Sequence, residues 1–171
     1  MNGYEFYPED GSTLYEEEAW ELSEQARSLW LRLTFAGEYS EDMSPVQIQG
    51  RKYLSMFPAR DGVYTIEQVR EKFLAVFSEE STDKTLNAAI ASKDLLEYNG
   101  NVYAAYKKNR GKTSYNSWAD HVRDDGAGKF TVVMGVSMPP DGSTVYVELL
   151  TGKNAAGKFV FTDYPYWDRS E

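Results

Sequence analysis

The centre of the fold is decided by residues 82–106, TDKTLNAAIASKDLLEYNGNVYAAY. The first half of this stretch predicts a helix from Thr82 to about Lys93, because apolar side chains recur in it at helical spacing. The second half carries two short strand-like runs around Asn99-Gly100, the dipeptide that best fits a two-residue type I′ turn. The stretch therefore predicts a helix that is followed at once by a β-hairpin.

A second helix is predicted directly before this stretch. Thr65-Ile66-Glu67-Gln68 has the pattern of a capping box, and apolar residues at helical spacing continue to about Phe77. Residues 78–81 are then a short connection. The predicted order of elements is helix, short turn, helix and β-hairpin.

This order over residues 65–106 resembles the winged helix-turn-helix superfamily. The resemblance implies that residues 82–93 are a recognition helix and that residues 95–106 are the wing. In such proteins the recognition helix reads DNA with basic and amide side chains. The positions that match are Lys84, Asn87 and Lys93 on the helix and Asn99 at the tip of the wing. The helix contains no arginine, and it is surrounded by Glu79, Glu80, Asp83 and Asp94.

The densest basic run of the chain follows the predicted wing. It supplies four cations, Lys107, Lys108, Arg110 and Lys112. Such side chains bind phosphates by displacing counterions, whether or not a base is read. The run predicts a DNA-backbone contact, and a solvated loop that leaves the wing is the competing interpretation.

The formal charge of −9 is concentrated at the N-terminus. Residues 1–42 hold 11 acidic and two basic side chains, whereas residues 43–171 hold 16 of each. A helix is expected to begin at Thr13, with an apolar seam from Tyr15 to Leu33 and an end near Gly37. Its glutamates could imitate a row of phosphates, and an ordinary amphipathic helix with a solvated face is the alternative. The candidate protein-binding residues are Glu17, Glu21 and Glu24, together with Tyr166 and Trp167 near the C-terminus.

The remaining segments predict one more helix, a short helix and a small sheet. Ser44-Pro45-Val46-Gln47 has the pattern of the start of a helix that Pro58 would end, and a short helix is expected from Ser117. Alternating apolar residues from Phe130 onward predict a three-stranded antiparallel meander. The expected fold class is α+β, with a helical N-terminal half, a winged-helix-like centre and this β-meander. The expected divisions are residues 1–42, 43–106, a connector at 107–128, and 129–171.

The sequence also excludes several classes of chemistry. The chain has no cysteine and a single histidine, so thiolate sites and sites with two or three imidazoles are excluded within one chain. It lacks nucleotide-binding and serine-hydrolase motifs. No catalytic residue, metal site or cofactor is predicted. No secretory signal or membrane span is found, and a cytoplasmic location is expected.

Two functions remain open at this point. The first is a small non-enzymatic DNA-binding or regulatory protein that binds double-stranded DNA. The second is an acidic inhibitor, such as a phage or mobile-element anti-defence protein, that imitates DNA and blocks a nucleic-acid-binding complex such as a restriction or CRISPR complex. Homodimerisation is open in both cases.

Overall fold

The computed structural model describes residues 11–34, 44–106, 116–138 and 142–163, and within them the chain forms three α-helices and two four-stranded antiparallel sheets. The expected α+β class is confirmed. The helices are α1 (Glu16–Thr34), α2 (Ile66–Leu74) and α3 (Glu79–Ala91). The strands of the first sheet are β1 (Val46–Ile48), β2 (Arg51–Ser55), β3 (Leu95–Tyr98) and β4 (Asn101–Ala105). The strands of the second sheet are β5 (Asn116–Gly126), β6 (Lys129–Met138), β7 (Ser143–Lys153) and β8 (Phe159–Phe161).

Helix α1 follows the predicted seam. Its buried face includes Ala19, Leu22, Ala26, Leu29 and Leu33, and three glutamates occupy its first turn, where the helix dipole favours negative charge. The helix begins at Glu16 rather than at Thr13. It packs against α2 and against strands of both sheets.

The first sheet has the strand order β1-β2-β4-β3, and it corrects the prediction of a helix from Ser44. The segment instead forms a hairpin whose turn residues, Gln49 and Gly50, both have positive φ, at 50° and 80°. Strand β2 then pairs with β4, which buries Tyr53 and Leu54. A cap-like pattern at Ser44 was overridden by pairing with a strand about 50 residues further along the chain.

The two central helices and the second hairpin are confirmed. Thr65 accepts a hydrogen bond from the Gln68 amide (3.1 Å) while the Gln68 side chain accepts one from the Thr65 amide (3.2 Å), which completes the predicted capping box. Helix α3 begins earlier than predicted, because Ser78 caps it in place of Thr82, whose side chain is fully buried. Asn99 and Gly100 join β3 to β4 with φ of 48° and 74°, as a type I′ turn requires.

The second sheet has the order β5-β6-β7-β8, so the meander has four strands and not three. The expected helix from Ser117 is wrong, because this segment is strand β5. Its inward-facing residues include Ala119 and Val122, which are three positions apart because a β-bulge lies between Ala119 and His121. The bulge gave a helix-like spacing to a strand and hid its alternation.

One hydrophobic cluster contains residues of all three helices and of both sheets. Phe73 of α2, Leu86 of α3, Val102 of β4, Met134 of β6 and Phe161 of β8 all belong to it. The alternating residues of β6 face this core, as predicted from Phe130, Val132 and Met134. Helix α3, which carries Lys84 and Asn87, therefore shares one hydrophobic core with the second sheet.

Candidate nucleic-acid interface

Helix α3 and the β3–β4 hairpin lie next to each other at the surface and share one core. On α3, Thr82, Leu86 and Ala89 are buried. On the hairpin, Leu95 and Val102 are buried in the same cluster. We call residues 66–105 the helix–hairpin unit.

The side of α3 opposite its buried face presents the predicted residues to solvent. Glu80, Lys84, Asn87 and Ala91 follow one another at helical spacing, and all four are exposed. We call these four residues the α3 outward row. Lys84 and Asn87 lie in the middle of the row. Ala91, at its C-terminal end, has a short side chain that projects little from the helix. The outward row therefore presents one acidic, one basic, one amide and one methyl side chain to solvent.

Of the acids that surround α3, Asp83 is engaged by Arg70 of α2. Arg70 Nε donates to Asp83 Oδ1 at 2.8 Å and Arg70 Nη2 donates to Asp83 Oδ2 at 3.2 Å, a two-pronged contact. The hydrogen bonds from Arg70 lower the pKa of Asp83 below its ordinary value, and the same contact raises the pKa of Arg70. Arg70 also lies 3.5 Å from Glu79. These pairs connect α2 to α3 and neutralise charge beside the outward row.

Asp94, at the other end of α3, is engaged in the same way. Arg51 Nη2 of β2 donates to Asp94 Oδ1 at 2.5 Å, and the Ser92 hydroxyl donates to Asp94 Oδ2 at 2.9 Å. The Arg51 guanidinium also donates to the backbone carbonyls of Ser92 (3.2 Å) and Lys93 (3.3 Å). A cation at the C-terminal end of a helix satisfies carbonyls that have no partner within the helix.

Lys93 is held in a left-handed conformation with φ of 61°, just after the helix ends. Such a backbone is unfavourable for a residue other than glycine, by roughly 1–2 kcal/mol. Two side chains of β2 fix it, because Arg51 and the Tyr53 hydroxyl both donate to the Lys93 carbonyl, the latter at 2.8 Å. The Lys93 side chain is exposed.

Glu97 ties the hairpin to the start of α2. Its Oε1 accepts a hydrogen bond from the Ile66 amide at 2.5 Å, at the N-terminal end of the helix where a carboxylate is favoured. The tip of the β3–β4 hairpin, Asn99-Gly100, is exposed. The hairpin is therefore fixed relative to both helices, and its tip is accessible.

Part of the predicted site lies outside the described residues. This applies to Lys107, Lys108, Arg110 and Lys112 of the basic run, and to Tyr166 and Trp167. Of the eight candidate DNA-binding residues, Lys84, Asn87, Lys93 and Asn99 are described, and all four are exposed on the helix–hairpin unit.

The acidic residues of α1 form a second exposed surface. Glu17, Glu21 and Glu24 occupy the outward side of the helix, and we call them the acidic face. Trp20 lies beside them and is 51% exposed. Sequence reasoning missed Trp20, although its position outside the seam from Tyr15 to Leu33 indicates exposure.

A cleft of about 630 Å³ adjoins this surface. Its α1 side includes Glu18, Glu21 and Leu22, and its other side includes Lys158 and Phe159. The cleft is therefore lined by two carboxylates, one ammonium group and apolar side chains.

Within the described ranges, no group of three or more His, Asp or Glu side chains is placed to hold a metal ion. In the same ranges, no helix is long and apolar enough to cross a membrane.

Neither a scan against protein-family models nor a search of curated proteins found a match to this chain. The function is therefore inferred from the geometry above.

Proposed function

We propose that the protein binds double-stranded DNA through the helix–hairpin unit, as a winged-helix protein without enzymatic activity. In this proposal α3 enters the major groove with Lys84 and Asn87, and Lys93 and the wing contact the DNA backbone. The order of α2, α3 and hairpin supports it, as does the pairing of the hairpin with β2 in one sheet. Double-stranded DNA is the proposed partner.

The observation that carries the proposal is the distribution of charge around α3. The acids that surround the helix in sequence are not equally available, because Asp83 and Asp94 are engaged by Arg70 and Arg51. Lys84 and Lys93, in contrast, are exposed and have no ion pair among the residues that the structure describes. The local surface is therefore more favourable for a phosphate backbone than the sequence alone indicates.

The test is a fluorescence-anisotropy titration of a labelled, random-sequence duplex at low and at increasing salt. We expect binding at low salt, and we expect Lys84→Ala/Asn87→Ala/Lys93→Ala to weaken it about tenfold or more. Since each lost phosphate contact reduces the salt slope by about 0.9, losing the backbone contact of Lys93 should reduce the slope by roughly 1. The matched control is Lys129→Ala/Lys158→Ala, which removes two exposed lysines, one on β6 and one just before β8.

A second variant addresses the basic run. Lys107→Ala/Lys108→Ala/Arg110→Ala should weaken binding of all duplex sequences alike, because phosphate contacts carry no sequence information. The proposal fails if the wild-type protein does not bind duplex DNA at low salt. It also fails if the control lysines matter as much as the lysines of the helix–hairpin unit.

An alternative function rests on α1. Here the acidic face occupies the DNA-binding groove of a restriction or CRISPR complex and inhibits it, with Trp20 as an exposed anchor. The specific observation in its favour is that Glu17, Glu21 and Glu24 share one exposed side of a rigid helix with that tryptophan. Tryptophan is enriched among the residues that dominate protein interfaces.

The alternative is tested by DNA-cleavage assays with purified restriction and CRISPR enzymes. If it holds, the wild-type protein inhibits one of them, and Glu17→Lys/Glu21→Lys/Glu24→Lys abolishes the inhibition while the circular dichroism spectrum is unchanged. Reversal of Glu67 and Glu71, two exposed acids of α2, is the control and should leave inhibition intact. Equal inhibition by the wild-type protein and the α1 variant would eliminate the acidic face as the inhibitory surface.

A further inference from the structure

Strand β7 has one edge that is only partly paired. Strand β6 pairs with it from Ser143 to Leu150, whereas β8 pairs only with its last three residues, Thr151 to Lys153. Among the described residues, no strand pairs with the other edge of residues 143–149. We call this segment the open edge.

The hydrogen bonds at the end of β7 show which backbone groups face the open edge. Thr162 N–H donates to the Leu150 carbonyl at 3.0 Å, and Asn154 N–H donates to the Lys158 carbonyl at 2.9 Å. Even-numbered residues of β7 therefore direct their backbone groups away from β6. Because backbone direction alternates along a strand and the β6–β7 register has no shift, the N–H and C=O groups of Thr144, Tyr146 and Glu148 point to the open edge.

The residues of the open edge do not themselves supply the usual protection against pairing with another chain. Residues 143–149 contain no proline and no lysine, and their pairing with β6 has no bulge. The one charged side chain in this segment, Glu148, is bound by Arg123 of β5. Val145 and Tyr146 are exposed at 44% and 62%. An edge of this kind is a template for another strand.

We propose that the open edge is a dimer interface, in which β7 pairs antiparallel with β7 of a second copy of this chain. The occupant is a second copy because the segment is complementary to itself. About a two-fold axis at Tyr146, Thr144 faces Glu148 of the partner subunit, so no like charges are opposed. The three pairs formed by positions 144, 146 and 148 exchange six backbone hydrogen bonds, and the two second sheets become one continuous sheet.

The same pairing accounts for the exposed apolar side chains. Val145 lies on the core side of the sheet, at the end of the row that contains Val147 and Leu149. In the dimer Val145 packs beside Val147 of the partner subunit. Tyr146, on the outer side, packs beside Tyr146 of the partner subunit, and aromatic cross-strand pairs of this kind stabilise sheets.

A cysteine crosslink tests the proposal in the full-length chain, which has no cysteine of its own. Residues opposed in a hydrogen-bonded antiparallel pair lie about 5.5 Å apart at Cα, within the range that a disulfide spans. We expect Tyr146→Cys to form a disulfide-linked dimer on mild oxidation. Leu150→Cys is the matched control, since Leu150 is similarly exposed on the same side but its edge position is occupied by Thr162.

A second variant removes one outward donor without altering the β6–β7 ladder. Tyr146→Pro eliminates an N–H that faces away from β6, so the fold should be retained while the dimer dissociates. Light scattering coupled to size-exclusion chromatography should give twice the 19.5 kDa chain mass for the wild-type protein and the single-chain mass for this variant.

Three results would overturn the proposal. The first is a wild-type protein of single-chain mass in which the backbone amides of residues 144, 146 and 148 exchange their hydrogens rapidly with solvent. This result would mean that nothing covers the edge. The second is a wild-type protein of single-chain mass in which these amides exchange their hydrogens slowly. This result would mean that another segment of the same chain covers the edge. The third is a Tyr146→Cys protein that crosslinks no better than the Leu150→Cys control.

Discussion

Replacement of Phe161 by alanine is expected to lower the free energy of unfolding by about 3–5 kcal/mol, the usual cost of truncating a buried phenylalanine. Phe161 is completely buried, and it lies where β8 meets the connection between α2 and α3. Its amide donates to the Val76 carbonyl and its carbonyl accepts from the Ser78 amide, both at 2.8 Å. The ring therefore fills the space between the second sheet and the two helices.

Urea denaturation followed by circular dichroism and by tryptophan fluorescence measures this effect. Both signals should shift to lower urea together, because the residue joins the two parts of one core. Leu150→Ala, at an exposed position on the neighbouring strand, is the control and should change stability by about 0.5 kcal/mol or less. Separate transitions for the two signals, or a loss below about 1 kcal/mol for Phe161→Ala, would contradict the expectation.

Gly135→Ala is expected to destabilise the second sheet by about 1–3 kcal/mol, through overpacking rather than through loss of contact. Gly135 lies opposite Trp118 in the β5–β6 pair, and the indole lies directly over it. A Cβ atom at position 135 would come within 2.4 Å of Trp118 Cε2 and Cζ2. The bulky ring would have to leave its place on the sheet.

A double-mutant cycle isolates this cause. In a Trp118→Ala background the same Gly135→Ala change should cost little, so the two substitutions should be strongly non-additive in urea denaturation. Gly152→Ala is the matched control, because its nearest neighbour is the Thr162 methyl at 3.0 Å, which is a milder contact. Equal costs for Gly135→Ala with and without Trp118 would rule out the indole as the origin.

Local signals predicted much of the fold. The seam of α1, the capping box at Thr65 and the Asn99-Gly100 turn are determined by residues within one or two turns of each other, and all three are confirmed. The alternation in β6 is equally local, since it reports only which face meets the core.

The errors arose where distant pairing decides the structure. The segment from Ser44 has a helix-like start, but β2 gains its stability from β4. The segment from Ser117 carries a bulge that imitates helical spacing, and its pairing with β6 is visible only in three dimensions. Strand propensity is determined mainly by such neighbours and is weakly encoded in the segment itself.

For the candidate site, sequence reasoning proposed the residues but did not predict the contacts that hold them. Lys84, Asn87 and Lys93 are exposed, as a DNA-contacting role requires. Arg51, which binds Asp94 and the backbone at Lys93, lies 42 residues before Lys93 and was assigned to a helix. Its role depends on β2 lying beside the end of α3, a proximity that no local pattern predicts.

The short parallel bridge between Phe77 and Phe161 limits how the helix–hairpin unit can be used outside its own chain. A transplanted fragment of residues 65–106 would leave the Val76 carbonyl and the Ser78 amide without their partners on β8, and it would uncover the Phe77 side chain. The unpaired backbone groups and the solvent-exposed aromatic ring would make such a fragment poorly ordered and prone to aggregation. The unit is therefore not a portable module, and a chimaera that borrows it must also carry the last strand.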